Sequence, residues 1–230
     1  MVKIYYTAFD GKISDKLFMH YMSLLPQSMQ NNIDRFYKWE DAQRSLLGKL
    51  LLMKALQDFK SNKNLDDVMY SVFHRPALFG GLDFNISHSG NYIVCAISNE
   101  SRVGIDIEKY TSINFQDYSS CMKPTEWTTI NGSEQPEKKF LDYWTQKEAV
   151  IKGNGQGLSI DLDIIHIDSD GAWLDEEYWY LQKIFLHKDY VVHIASDTQL
   201  CEKTIVEEVM PLSFTEVCRK YVRENYYYCV

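Results

Sequence analysis

Two stretches of this 230-residue chain repeat one another at a fixed distance. Asn91-Tyr-Ile-Val-Cys-Ala-Ile-Ser-Asn99 lines up with Asp189-Tyr-Val-Val-His-Ile-Ala-Ser-Asp197, 98 positions later. The same shift carries Lys49 onto Lys147, and each of these lies in a segment with helical periodicity. A strand and a helix that share one offset predict two similar α/β halves of about 100 residues each. The expected division is 1–102 for the first half, 103–201 for the second half, which carries the candidate metal site, and 202–230 for a tail.

Local patterns fill in the halves. Residues 2–9 are rich in β-branched and aromatic side chains and predict a strand. Short helices are expected over 15–24 and 26–37, and a long one over 41–58, with Asp41 as N-cap and Leu46, Leu47, Leu50, Leu51 and Leu56 at helical spacing. The polar run Ser61–Asp67 reads as a loop, Val68–Phe73 as a strand, and Arg75-Pro76 and Gly80-Gly81 as turns. Strands are expected over Asn91–Ser98, Arg102–Glu108, Leu162–Ile167, Tyr178–Phe185 and Tyr190–Ala195. A second long helix is expected over 137–152, stopped by Gly153, Gly155 and Gly157. The tail from 205 reads as partly helical.

Composition removes some function classes. Acidic residues outnumber basic ones by 32 to 24, a net charge of −8, which speaks against general binding to nucleic acid or an anionic membrane. Five cysteines are an odd number and form no CxxC pair, so they read as reduced thiols and place the protein in the cytoplasm. The N-terminus shows no signal-peptide pattern and no apolar run is long enough to span a bilayer.

Three segments carry residues able to do chemistry. In Val103-Gly104-Ile105-Asp106-Ile107-Glu108, strand alternation turns Val103, Ile105 and Ile107 to one face and Asp106 and Glu108 to the other, about 7 Å apart. Two such carboxylates suit Mg²⁺, though D-x-E by itself fits an edge strand with a solvated acidic face better. In Trp144-Thr-Gln-Lys147-Glu148-Ala-Val-Ile-Lys152, helical spacing puts Trp144, Glu148 and Lys152 on one face. Glu148 could complete a three-carboxylate site and Lys152 could hold a phosphate; an exposed Glu–Lys pair has the same spacing. In Phe84-Asn85-Ile86-Ser87-His88-Ser89-Gly90, small polar residues around His88 read as a loop of donors for a phosphate, or as a capped turn.

Taken in order, FNISHSG, GIDIE and WTQKEAVIKGNGQGL resemble the signature of the 4′-phosphopantetheinyl transferases, in the larger bacterial type that activates surfactin-like peptide synthetases. The segment Arg35–Gly48 is similar to that family's N-terminal helix, and the likeness covers roughly 35–195. The resemblance implies two pseudo-symmetric α/β halves with coenzyme A in the cleft between them. It implies transfer of the phosphopantetheine arm to a serine of an apo acyl or peptidyl carrier protein, with release of adenosine 3′,5′-bisphosphate. Asp106, Glu108 and Glu148 match the Mg²⁺ ligands, and Glu148 also matches the proposed general base. Lys152 matches the lysine on the pyrophosphate, Ser87 and His88 the phosphate contacts, and Arg44 and Ser45 positions at the nucleotide end.

Departures from the family pattern exist. Arg75 stands where the family often has lysine, so a phosphate contact there is expected to change in kind. Ser28–Asn32 lacks the basic residues usual before the first helix, which leaves Lys38 or Lys49 for the 3′-phosphate. Because carrier proteins and this chain are both acidic, docking is expected through an apolar patch, with 111–125 as the candidate segment. A monomer is expected. Two other readings use the same residues: a coenzyme A-binding protein without transferase activity, and a Mg²⁺-dependent phosphodiesterase with water as nucleophile.

Overall fold

The computed structural model describes residues 1–200 and 204–217. The chain begins with β1 (Val2–Ala8), α1 (Asp15–Met22), α2 (Gln27–Ile33) and α3 (Trp39–Asp58). The short strands β2 (Val68–Tyr70) and β3 (Pro76–Leu78) precede β4 (Asp83–Ser89) and β5 (Tyr92–Ser98). Next come β6 (Val103–Lys109), α4 (Pro124–Asn131), α5 (Pro136–Asn154), β7 (His166–Ile167) and β8 (Gly171–Leu174). The series ends with β9 (Glu177–Lys183), β10 (Tyr190–Ser196) and β11 (Ile205–Glu208).

One sheet has the order β11-β1-β5-β4 and a second the order β6-β10-β9-β8-β7, while β2 and β3 form a separate hairpin. The triplets β1-β5-β4 and β6-β10-β9 share a topology. In each, a first strand leads to a long helix and then to an antiparallel pair, whose later strand lies in the middle. β5 and β10 begin 98 residues apart, as the repeat requires. The fold is mixed α/β.

The layers run helix, sheet, sheet, helix. From α3, Leu46, Leu47, Leu50 and Leu51 are fully buried against Ile93, Cys95 and Ile97 of β5. The opposite face of β5, with Val94 and Ala96, meets Val103, Ile105 and Ile107 of β6 and Val192 and Ile194 of β10. α5 covers the far side of the second sheet through Ala149 and Val150, which pack with Trp179 and Ala195. Each such side chain contributes about 1.5–3 kcal/mol by leaving water. β5 and β10 read as near-continuous apolar runs because both faces of each are covered.

Several expectations are corrected. Residues 84–90 do not form a loop: Asp83–Ser89 is a strand whose polar alternate positions bond across to β6. The tail is partly helical over its described residues, at 211–217, but it also holds a strand not anticipated: β11 pairs in parallel with β1, Lys3 opposite Ile205 and Tyr6 opposite Glu208, while 218–230 lie outside the described residues. α3 starts at Trp39, so Asp41 sits in its first turn rather than capping it. α5 continues to Asn154 with Gly153 inside it, and Gly155 at φ 86° ends it. The expected strand 162–167 is a short 3₁₀ turn, Leu162–Ile164, followed by two-residue β7, and β8 was not anticipated. In 111–125, the segment expected to dock a carrier, Ile113, Phe115 and Tyr118 are half-buried and pack with buried Met122 and Phe140 and with Trp127 and Trp144. Cys95 and Cys121 are free thiols, and Cys201, Cys218 and Cys229 fall outside the described residues.

Candidate active site

β4 and β6 are edge strands of separate ladders that lie side by side and run in the same direction. Side chains bridge them in place of a backbone ladder. Asp83 Oδ2 accepts from the Val103 N–H at 2.7 Å, Asn85 Oδ1 from Ile105 at 3.0 Å, and Ser89 Oγ from Lys109 at 3.1 Å. Ser87 donates to Asp106 Oδ1 at 2.9 Å, and Ser89 to Glu108 Oε2 at 2.7 Å. The sequence signal for this seam was the period-two run Asp83, Asn85, Ser87, Ser89, a strand with one polar face.

The two carboxylates of β6 face α5, not water. Gly104 shares their face, and a Cβ there would stand 2.0 Å from the Ala149 carbonyl oxygen and 2.3 Å from the Gly153 nitrogen. A Cβ on Gly153 would stand 2.5 Å from the Trp179 ring. Only glycine fits at this crossing, so helix and strand touch backbone to backbone. The close approach carries Lys152 over the strand, where its ammonium donates to Asp106 Oδ1 at 2.5 Å and to Ser87 Oγ at 3.0 Å.

Charge is crowded here. Asp106 is 2% exposed, and its second oxygen, Oδ2, is buried with no hydrogen-bond partner. Burial, then the Asp106 charge, pushes the Glu108 carboxyl up to about 7, while Ser89 and Lys152 pull it down. Burial raises Glu148 as well, Lys152 opposes that rise, and Asp106 adds to it. Three acids that repel one another around one lysine favour a further cation. Among the described residues no three His, Cys, Asp or Glu side chains already stand at metal-ligand spacing. The all-oxygen donor set and the unpartnered Asp106 Oδ2 nonetheless fit Mg²⁺, which often takes only one or two carboxylates and completes its shell with water and phosphate oxygens.

The remaining residues take varied places. His88 is exposed beside this cluster, and its pKa is lowered by desolvation and then by the Arg44 charge, with a smaller effect from Lys152. Arg44 is steered to the end of β4 that carries His88 by donating from Nε to the Gly90 carbonyl at 2.7 Å and from Nη1 to Asp41 at 2.6 Å. Ser45 is engaged by Lys49 one helical turn on, at 2.8 Å, and burial lowers Lys49 to about 8. Arg75 is engaged within the fold. It grips Asp83 with two nitrogens at 2.8 and 2.7 Å and donates to the Lys152 and Val103 carbonyls at 2.8 and 3.1 Å. Its fork is spent on clamping β4, β6 and the end of α5, and Gly155 leaves it room, since a Cβ there would lie 2.6 Å from Arg75 Cδ. The sequence reading also missed Lys147, which is fully buried and donates to Glu126 of α4 at 2.5 Å. A cavity of about 230 Å³ opens beside the acids, lined by Phe73, His74, Arg75, Pro76, Glu148 and Lys152 among others.

Residues 102–201 match the model of the 4′-phosphopantetheinyl transferase superfamily, and residues 12–100 that of the 4′-phosphopantetheinyl transferase N-terminal region. The chain is 31% identical over 179 residues to 4′-phosphopantetheinyl transferase Sfp of Bacillus subtilis (strain 168), covering 74% of this chain and 79% of that protein. It is 30% identical over 174 residues to the transferase gsp of Aneurinibacillus migulanus, covering 74% and 73%. A solved holo-[acyl-carrier-protein] synthase from Thermotoga maritima overlays 41% of this chain and 61% of its own, with a TM-score of 0.35 at 15% identity. With the sequence matches spanning both halves and the acidic cleft formed by the motif residues, this chain belongs to the 4′-phosphopantetheinyl transferase family.

Proposed function

We propose that this enzyme moves the 4′-phosphopantetheine arm of coenzyme A to a serine of an apo acyl or peptidyl carrier protein, at the cleft built from Asp106, Glu108, Glu148 and Lys152. The observation that carries the reading is the buried, unpartnered Asp106 Oδ2 among carboxylates that repel one another next to a lysine. Such a site gains stability by accepting a cation together with a polyanion.

Lys152 would shift its ammonium from Asp106 toward the pyrophosphate, and His88 and Ser87 would donate to phosphate oxygens. Arg44, already beside His88, adds positive charge at the nucleotide end. Asp106, Glu108 and Glu148 are the residues that would hold Mg²⁺. When bound, Mg²⁺ supplies charge neutralisation for the phosphate oxygens in the transition state. Glu148, whose carboxyl is raised by burial, accepts the proton of the attacking serine. A bond forms between serine oxygen and phosphorus, and the bond from that phosphorus to the bridging oxygen breaks. Adenosine 3′,5′-bisphosphate leaves with the bridging oxygen, and the proton passes from Glu148 to solvent. Arg75 acts as a clamp and not as a phosphate ligand.

No helix among the described residues is long and apolar enough to cross a membrane, and the reading places the enzyme in the cytoplasm as a monomer that binds no nucleic acid. The test is direct. Apo acyl and peptidyl carriers are incubated with enzyme, Mg²⁺ and coenzyme A and then weighed by mass spectrometry. The expected result is the mass gain of one phosphopantetheine arm on at least one carrier, lost with Asp106→Asn. Coenzyme A cleavage without a carrier would favour the phosphodiesterase reading. Binding of coenzyme A with no modification of any carrier would favour the binding-protein reading.

A further inference from the structure

His193 is a buried polar group that the transfer chemistry leaves unused. It stands in the middle of β10, 4% exposed, directly across the ladder from Asp106 of β6. Burial lowers its pKa to about 4, so the ring is neutral near pH 7. Its Nδ1 lies 2.7 Å from the hydroxyl of Thr145, which is fully buried in α5. The same hydroxyl lies 2.8 Å from the Leu141 carbonyl, one turn earlier. A hydroxyl has one proton and two lone pairs, so it donates to Leu141 and accepts from the Nδ1–H, and both contacts are met. The other ring nitrogen, Nε2, faces Asp142 at 3.8 Å, beyond a hydrogen bond.

α5 is thus fixed to the second sheet at two places. Near its C-terminal end, Gly104 and Gly153 touch backbone to backbone. Eight residues earlier, Thr145 is tied to His193. A further polar tie, Asp142 with Lys183 of β9, is exposed at its lysine and weakened by water. Glu148 and Lys152 lie between the two fixed points, at unequal distances from them. Along a helix that rises 1.5 Å per residue, Thr145 is about 12 Å from the glycine crossing, Glu148 about 7.5 Å and Lys152 about 1.5 Å. With the His193 tie released, α5 pivots about the glycines. A displacement of about 1 Å at Thr145 then becomes about 0.6 Å at Glu148 and about 0.1 Å at Lys152. Arg75, which donates to the Lys152 carbonyl, steadies that end further.

We propose that the Thr145–His193 pair is a positioning element that sets where Glu148 stands in the cleft. The proposal rests on the functional reading above, in which Glu148 takes the serine proton and helps to hold the cation. A misplacement of about 1 Å in a reacting group costs up to ~100-fold in rate, so the shift at Glu148 corresponds to roughly tenfold. Lys152 barely moves, so the grip on the pyrophosphate is kept.

The test measures steady-state transfer to an apo carrier, with coenzyme A varied in saturating Mg²⁺, for wild-type enzyme and three variants. Thr145→Val keeps the shape and removes the hydroxyl; kcat falls about tenfold while the KM for coenzyme A changes by less than about twofold. Thr145→Ser keeps the hydroxyl and holds kcat within about threefold of wild type. Thr145→Val combined with His193→Leu makes both sides apolar and recovers the thermal stability lost in the single variant. It nonetheless keeps the loss of kcat, because apolar contact has no direction. Mn²⁺ binding, followed by electron paramagnetic resonance, gives a readout without turnover. Its affinity weakens about threefold or more in both hydroxyl-free variants and not in Thr145→Ser, since one of the three acids has moved. A kcat that recovers together with stability in the double variant, a KM that rises as much as kcat falls, an unchanged kcat in Thr145→Val, or one Mn²⁺ affinity shared by all variants would overturn the proposal. Wild-type enzyme that modifies no carrier and binds no Mn²⁺ would sink the reading of the cleft itself, and this proposal with it.

Discussion

Glu108 offers a quantitative check on the electrostatics of the cleft. Its carboxyl rises from an ordinary 4.5 to about 7, first because it is buried and then because Asp106 stands beside it. A raised folded-state value means that the folded protein holds this proton more tightly than the unfolded chain does. Stability from this group is therefore complete below the unfolded value and is lost as pH rises through the folded value. The gap between 4.5 and about 7 corresponds to about 3 kcal/mol at ~1.4 kcal/mol per pH unit. Glu108→Gln keeps the shape and a hydrogen-bonding oxygen for Ser89, and removes the charge. In a chelator, urea denaturation of the two proteins should show a stability difference near zero below about pH 4. It should grow to about 3 kcal/mol in favour of the glutamine variant by pH 8. The stabler variant should transfer phosphopantetheine more slowly, because the charge that strains the free protein is one the reaction uses. A gain of equal size at every pH, or none at pH 8, would refute the account of charge crowding.

Gly104→Ala places a methyl group 2.0 Å from a backbone oxygen, and should cost at least ~3 kcal/mol in urea denaturation or prevent folding. Lys147→Met leaves Glu126 buried without its partner and should cost ~3–5 kcal/mol in the same assay, whereas Lys147→Met with Glu126→Leu should recover most of that loss. Arg75→Lys should lower the thermal midpoint by the equivalent of about 2 kcal/mol, since lysine cannot reproduce four fork contacts, with coenzyme A affinity changing by less than the stability does. A large affinity loss at unchanged stability would return Arg75 to the phosphate.

The sequence by itself determined the repeated strand-and-helix pattern and which faces the candidate site residues share. Alternation along Val103–Glu108 turned Asp106 and Glu108 to one face, and helical spacing put Glu148 and Lys152 together, because both periods are local properties of backbone geometry. The repeat located β5 and β10 for a related reason: a strand covered on both faces must be apolar throughout. Local patterns carry no information about what a face meets. The acidic face of β6 was as consistent with water as with a helix, and only the Gly104–Gly153 contact decided for the helix and drew Lys152 onto Asp106. The grip of Arg75 on Asp83 and on the Val103 and Lys152 carbonyls could not be read locally either, because these partners converge from three separate segments. The strand 205–208 was missed because its partner is β1, two hundred residues earlier, and pairing at such distance leaves no mark on either segment alone.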